Sequence, residues 1–239
     1  MKNKSIIPFV LAALLLYSCG NTQLLQDLSK AVGTTAGGYT ESEAAQGIRE
    51  ALIKGTNEGI SIVSVVDGYF KNSEIKIPFP PEAANIENKL RAVGLGAQVD
   101  KAILSINRAA EDAAKEAKPI FVSAITGMTI MDAINIVKGQ DNAATQYLQK
   151  TTSLQLNDKF KPVIRNSLDK VNATKYWSEL ITTYNKIPLV EKMNPDLASY
   201  VTDKAIDGLF VMIAREELKI RKDPVARTTE ILRKVFGSN

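Results

Sequence analysis

From Val99 onward, apolar and small side chains recur in alternating steps of four and three: Val99, Ile103, Ile106, Ala110, Ala113, Ala117, Ile120 and Ala124. That spacing lays all of them along one stripe of an α-helix and contradicts the period of two that a half-buried strand requires. The middle of the stripe is alanine, so neighbouring helices can pack tightly there. Pro119 falls inside the pattern; lacking an N–H, it predicts a kink or a split into two helices.

The same rhythm recurs along the chain. Thr40 with Glu43 reads as a capping box, and Ala45, Ile48, Leu52, Gly55, Gly59, Ile62 and Val66 continue a long helix up to Asp67-Gly68. Gly55 and Gly59 on that stripe admit a closely packed second helix or, alternatively, a ligand against bare backbone. Residues 74–81 read as extended and end in Pro80-Pro81, with Pro81 placed to open a helix running to about Val93. Gly94 and Gly96 flank the next break. Further helices are expected over 129–137, 142–149, 153–171 with Pro162 inside, and 175–185. Asn194-Pro195-Asp196 starts another reaching Arg221, and Asp223-Pro224 separates it from a last one ending at Phe236-Gly237. No segment alternates with period two over more than a few residues. The expected fold is all-α: a single globular multi-helix domain of roughly eight to ten helices over residues 41–239. The one internal echo, Lys118-Pro119-Ile120-Phe121 with Lys161-Pro162-Val163-Ile164, reads as two proline-containing helices without duplication.

Ahead of this domain, residues 1–18 have the layout of a secretory signal: Lys2 and Lys4, an apolar run over 6–16, and a small residue at the cut. The run is too short to span a bilayer, which takes about 20 apolar residues. Leu16-Tyr17-Ser18-Cys19 resembles the bacterial lipobox, with Tyr17 the one departure, and makes Cys19 the expected lipid attachment site. Two or three acyl chains there would hold the protein firmly, since each buried CH₂ contributes about 0.8 kcal/mol. Residues 19–40 then form a lipidated N-terminus and flexible tether. Gly20, where lipoproteins retained in the inner membrane often carry Asp, points to the outer membrane facing the periplasm.

The chain has no histidine and a single cysteine. Imidazole bases, histidine metal sites, thiol catalysis and disulfides are therefore outside its repertoire once Cys19 is acylated. No cofactor or metal site is expected, and an enzyme would have to work with carboxylates, Lys, Tyr, Ser or Thr. Removing Lys2 and Lys4 with the signal lowers the formal charge from +4 to about +2. Basic residues are interspersed with acids, and no basic stripe for nucleic acid emerges.

Ser73-x-x-Lys76 and Ser167-x-x-Lys170 match the nucleophile pattern of penicillin-interacting enzymes, but no Ser-Asp-Asn or Lys-Thr-Gly accompanies them. The polar run Asn107-Arg108-Ala109-Ala110-Glu111-Asp112 is more informative. As a solvated face it pairs Arg108 with Asp112 and Glu111 with Lys115. As a site it turns Arg108 and Glu111 into a groove with Asp132 and Arg91. Asp100 and Asn107 join Arg91, Arg108, Glu111 and Asp132 as candidates. Arg215-Glu216-Glu217 with Arg221 allows the same two readings.

The run Leu90-Arg91-x-x-Gly94-Leu95, then Asp100, Asn107-Arg108-Ala109-Ala110-Glu111, Pro119-Ile120-Phe121, Met128 and Asp132-Ala133 resembles the bacterial envelope family DUF4197, a domain of unknown function. Ala143-Ala144-Thr145-x-Tyr147-Leu148, Tyr200-Val201-Thr202, Gly208-Leu209-Phe210, Glu217, Ile220-Arg221 and Pro224 extend the likeness to nearly everything between Leu24 and Phe236. The resemblance implies a helical, exported, often lipidated protein and supplies no catalytic residues.

The leading expectation is thus a non-catalytic envelope lipoprotein whose helical domain binds a protein or cell-wall partner. The alternatives are a module that takes an apolar or amphiphilic ligand between helices, at stripes such as Gly55/Gly59 and Ala110/Ala113, and an enzyme built on Arg, Glu and Asp.

Overall fold

Thr40 and Glu43 open the first helix reciprocally: the Glu43 N–H donates to the Thr40 hydroxyl at 3.1 Å, and the Thr40 N–H to the Glu43 carboxylate at 2.8 Å. The computed structural model describes residues 38–186, 188–189 and 192–237. The signal, Cys19 and nearly all of the tether lie outside the described residues. Nine α-helices and no strand are found among the described residues. In chain order they are α1 (Glu41–Val63), α2 (Ala84–Ala92), α3 (Gly96–Ala114), α4 (Ala117–Thr126), α5 (Ile130–Val137), α6 (Ala143–Asp169), α7 (Ala173–Tyr184), α8 (Leu197–Lys222) and α9 (Glu230–Gly237). Single 3₁₀ turns at Pro81–Ala83 and Pro224–Ala226 precede α2 and α9. The all-α expectation is met.

Three boundaries differ from expectation, each for a local reason. The helix expected up to Asp67 stops at Val63. Asp67 then takes φ +71, and Gly68 sits so close to the end of α1 that a Cβ there would lie 2.4 Å from the Ile62 carbonyl oxygen. The break near Pro119 falls just upstream, at Lys115-Glu116, leaving Pro119 third in α4, where its missing N–H has no helical partner to lose. The two helices expected over 142–171 are one, α6. The gap expected between Gln149 and Ser153 is bridged: the hydroxyls of Thr151, Thr152 and Ser153 donate back to the carbonyls of Tyr147, Leu148 and Gln149, and the helix runs through them. The echo at the two prolines is thus inexact: Pro119 is at a helix start, Pro162 in a helix interior.

Helix α8 is the central element. Its buried residues include the adjacent Gly208, Leu209 and Phe210 as well as Met212 and Ile213, so more than one face is covered. It packs on α1, α6 and α3, and Phe210 meets Phe121 of α4 edge to face at 5.8 Å. Around it Leu148, Leu156, Phe160 and Ile164 of α6 and Ala110, Ala113 and Ala114 of α3 are fully buried. Two glycines of α1 mark close approaches to other helices. A Cβ on Gly59 would come within 3.1 Å of Ile213 of α8, and one on Gly47 within 2.7 Å of Val235 of α9.

Candidate functional site

Within the polar run of α3, Asn107 and Glu111 face inward, Arg108 is half-buried and Asp112 is exposed. Asn107, fully buried, accepts from the Ile77 N–H at 2.9 Å and donates to the Ile77 carbonyl at 2.8 Å, and donates also to the Ile103 carbonyl one turn back. One turn on, buried Glu111 accepts the N–H groups of Tyr69 (3.1 Å) and Phe70 (3.3 Å) on one oxygen and Arg108 Nη1 (2.6 Å) on the other. Arg108 also donates from Nη2 to Asp67 at 2.6 Å, and Lys71 reaches the second Asp67 oxygen at 2.8 Å. Lys71 first, then Arg108, hold the Asp67 carboxyl below its ordinary range. Glu111, followed by Asp67, raises the Arg108 guanidinium further. Tyr69 completes the assembly: burial pushes its phenol upward, and its hydroxyl donates to the Ala205 carbonyl of α8 at 2.6 Å. The turns that follow α1 leave the N–H groups of Tyr69, Phe70 and Ile77 without a backbone partner; α3 supplies side chains that accept them.

The other candidates lie elsewhere. Arg91 bridges Glu87 (2.9 Å) and Asp100 (2.8 Å) on the exposed surface where α2 meets α3. Asp132 is the third residue of α5 and forms a capping box with Thr129, whose hydroxyl and N–H both donate to its carboxylate and keep it ionised below the usual range. The expected groove uniting Arg108, Glu111, Asp132 and Arg91 is therefore corrected to three separate groups. The solvated-face pairing is corrected too: Arg108 turns to Glu111, and Lys115 pairs with Asp112 at 2.8 Å. Among the described residues no hydrogen bond joins Ser73 to Lys76, whose ammonium stands 4.4 Å above the Phe70 ring. No group of three or more acidic or thiol side chains among them is placed to hold a metal ion.

A second buried assembly is built on Glu217 and Arg221, from the polar run that the sequence left between a solvated face and a site. Glu217 of α8 accepts the N–H groups of Ala144 (3.0 Å) and Thr145 (2.8 Å) and the Thr145 hydroxyl (2.8 Å), at the start of α6. Asn142 at that start makes no side-chain cap, so the capping carboxylate arrives from 72 residues away. Arg221 pairs with Glu217 at 2.8 Å and donates to the Ile136 carbonyl in the last turn of α5 at 2.9 Å. An anion thus meets the positive end of one helix and a cation the negative end of another. The four-residue spacing of Glu217 and Arg221 pairs them on α8 but gives no sign of the helix ends they meet.

The space expected along the Gly55/Gly59 and Ala110/Ala113 stripes is filled by the protein itself. Beside Gly55 only a cavity of about 20 Å³ remains, bounded by Leu52, Ile213 and the Glu217–Arg221 pair, enough for about one water. A larger opening lies at another place, between α3 and α7. It has a volume of about 470 Å³. Gln98, Lys101, Ala102 and Ser105 form one wall and Ala173, Tyr176 and Trp177 the other, above a floor of Phe79, Ile106 and Leu197. Trp177 is fixed there by a contact with Phe79 at 5.4 Å, edge to face, and by a bond from its indole N–H to the Asn194 carbonyl at 3.4 Å.

A family model described as a protein of unknown function (DUF4197) matches residues 38–237. The chain belongs to the DUF4197 family. No match was found among curated proteins or among solved structures. In this DUF4197 chain, positions that carry the resemblance have definable structural tasks. Asn107, Arg108 and Glu111 hold the segment after α1; Glu217 and Arg221 close α6 and α5; the Met128 carbonyl accepts Arg49 at 2.6 Å. Gly208 leaves room for Tyr69, whose ring carbon would lie 2.7 Å from a Cβ at that position.

Proposed function

We propose that this DUF4197 protein is an exported lipoprotein of the bacterial envelope, anchored through Cys19 in the outer membrane, whose helical domain faces the periplasm and binds a protein or cell-wall partner without transforming it. The anchor rests on the layout of residues 1–19 and on Cys19 being the single cysteine of the chain. The non-catalytic half rests on one observation: both oxygens of Glu111 and two nitrogens of Arg108 are already committed to partners within the chain. A general acid or a substrate clamp needs a group free to meet the reacting atoms. An enzyme built on Arg and carboxylates is accordingly the weaker reading.

Cys19→Ser tests the anchor. The expected result is an unprocessed or soluble form; unchanged membrane fractionation and mobility would refute it. Affinity purification from detergent-solubilised envelopes after brief crosslinking tests the binding role. A specific partner retained by the wild-type chain supports it, and crosslinked material identical to that of an unrelated envelope lipoprotein counts against it.

A further inference from the structure

We propose that the cleft between α3 and α7 is a binding site for a single-chain amphiphile with a carboxylate head, of the long-chain fatty-acid class. Its volume of about 470 Å³ falls within the roughly 300–1,000 Å³ of ligand sites. Helix geometry sorts its walls. Gln98, Lys101 and Ser105 follow one another at steps of three and four along α3 and make a polar row, while Ala102 and Ile106 lie one residue further round and are apolar. Across the gap Tyr176 and Trp177 lie three and four residues beyond Ala173 and so share its face of α7. Ala102 and Ala173 are small where a larger residue would close the space.

The opening is apolar with one charge at its rim. Lys101 is the only charged side chain among the lining residues, and its ammonium makes no hydrogen bond or ion pair among the described residues. No carboxylate lines the cleft to repel an anion. Val171 and Tyr176 remain 51% and 64% exposed at its edge, which leaves apolar surface for an alkyl chain to cover. An amphiphile placed with its carboxylate at Lys101 and its chain against Trp177, Phe79 and Leu197 satisfies the charge and the apolar surface together. A neutral lipid would leave the cation unmatched, and a peptide would bring polar backbone groups that this floor cannot partner.

Trp177 is the only tryptophan in the chain, so its fluorescence reports the cleft alone. The mature chain from residue 19 carrying Cys19→Ser, which has neither the apolar signal nor the acylation site and needs no detergent, is titrated with dibromostearate below its aggregation concentration. Saturable quenching, reversed by unbrominated stearate, is the expected result. Lys101→Glu should weaken binding about tenfold or more, Lys101→Arg should retain it, and Ala102→Phe should abolish it with the helical circular dichroism unchanged. Absence of quenching, quenching that does not saturate, or stearyl alcohol binding as tightly as stearate would overturn the proposal. So would equal quenching by vesicles of brominated phosphatidylcholine, which would mark the face as a membrane-contact surface. The inference does not depend on the anchor: membrane attachment reads out Cys19, whereas quenching reads out the cleft.

Discussion

Asn107 pairs with Ile77 as a neighbouring strand would, accepting from its N–H at 2.9 Å and donating to its carbonyl at 2.8 Å. A single side-chain amide thereby ties a segment without regular structure to the face of a helix. Both Ile77 and Asn107 are buried, so water cannot replace either bond. Asn107→Leu should therefore cost about 2–4 kcal/mol, the penalty of leaving one buried donor and one buried acceptor unpaired. Urea unfolding measures the loss, and hydrogen exchange should show the Ile77 amide losing protection ahead of the core of α8.

Glu217 is the more severe case, because its removal strands a cation as well as amides. Glu217→Ala leaves the Ala144 and Thr145 N–H groups uncapped and Arg221 buried without its counter-ion. A loss of about 3–5 kcal/mol is expected by chemical denaturation. Glu217→Gln keeps an acceptor for one amide and should cost less. Equal loss for the two variants would mean that the charge, and not the cap, carries the contribution.

Two glycines in helix interiors should respond to alanine with opposite signs. Each gains up to about 1 kcal/mol from helix propensity. At Gly55 the new methyl meets the Glu216 Cβ at an ordinary 3.6 Å, beside the small cavity, and the melting temperature should rise. At Gly208 it comes within 2.7 Å of the Tyr69 ring and 3.1 Å of Ile75, both buried, and overpacking of about 1–3 kcal/mol should win. Thermal unfolding of the pair checks the contrast.

Asp196 sets part of the acid limit. As N-cap of α8 it accepts from the Ser199 N–H and hydroxyl, and Lys161 lies 2.9 Å from its carboxylate. Burial alone would raise its pKa, but the bonds from Lys161 and Ser199 bring it down to about 2. A carboxyl whose pKa is lower folded than unfolded adds stability above its ordinary value of 3.8, and that stability is lost as pH falls through about 2. Asp196→Asn retains the cap but not the charge. It should remove about 1–2 kcal/mol at neutral pH, after allowance for solvent screening, and flatten the stability profile between pH 4 and 2.

Helices were legible wherever an apolar stripe ran uninterrupted, because burial on one face is what the rhythm of three and four encodes. α1 and α3 are of this kind, whereas α8 is legible from its start and stop signals. The join through Thr151, Thr152 and Ser153 was not legible, since hydroxyl residues favour turns in isolation and are held in α6 here by bonds to their own helix. Asn107, Arg108 and Glu111 drew notice as an unusual polar run, yet their task depends on Asp67, Tyr69, Phe70 and Ile77, which lie 30 to 42 residues upstream. Nothing in local spacing records such a distance. The cleft was invisible for a related reason: a space between α3 and α7 belongs to their packing and to no segment of either.

The closure of α6 by Glu217 has a temporal side. A chain made from its N-terminus reaches residue 145 long before residue 217, so the first turn of the longest described helix must wait for its cap until about three quarters of the remaining sequence has been added. During that interval α1 also lacks the partner that covers Gly55 and Gly59. The growing protein is therefore open along one whole flank until α8 arrives, and its folding is timed by the last quarter of the chain.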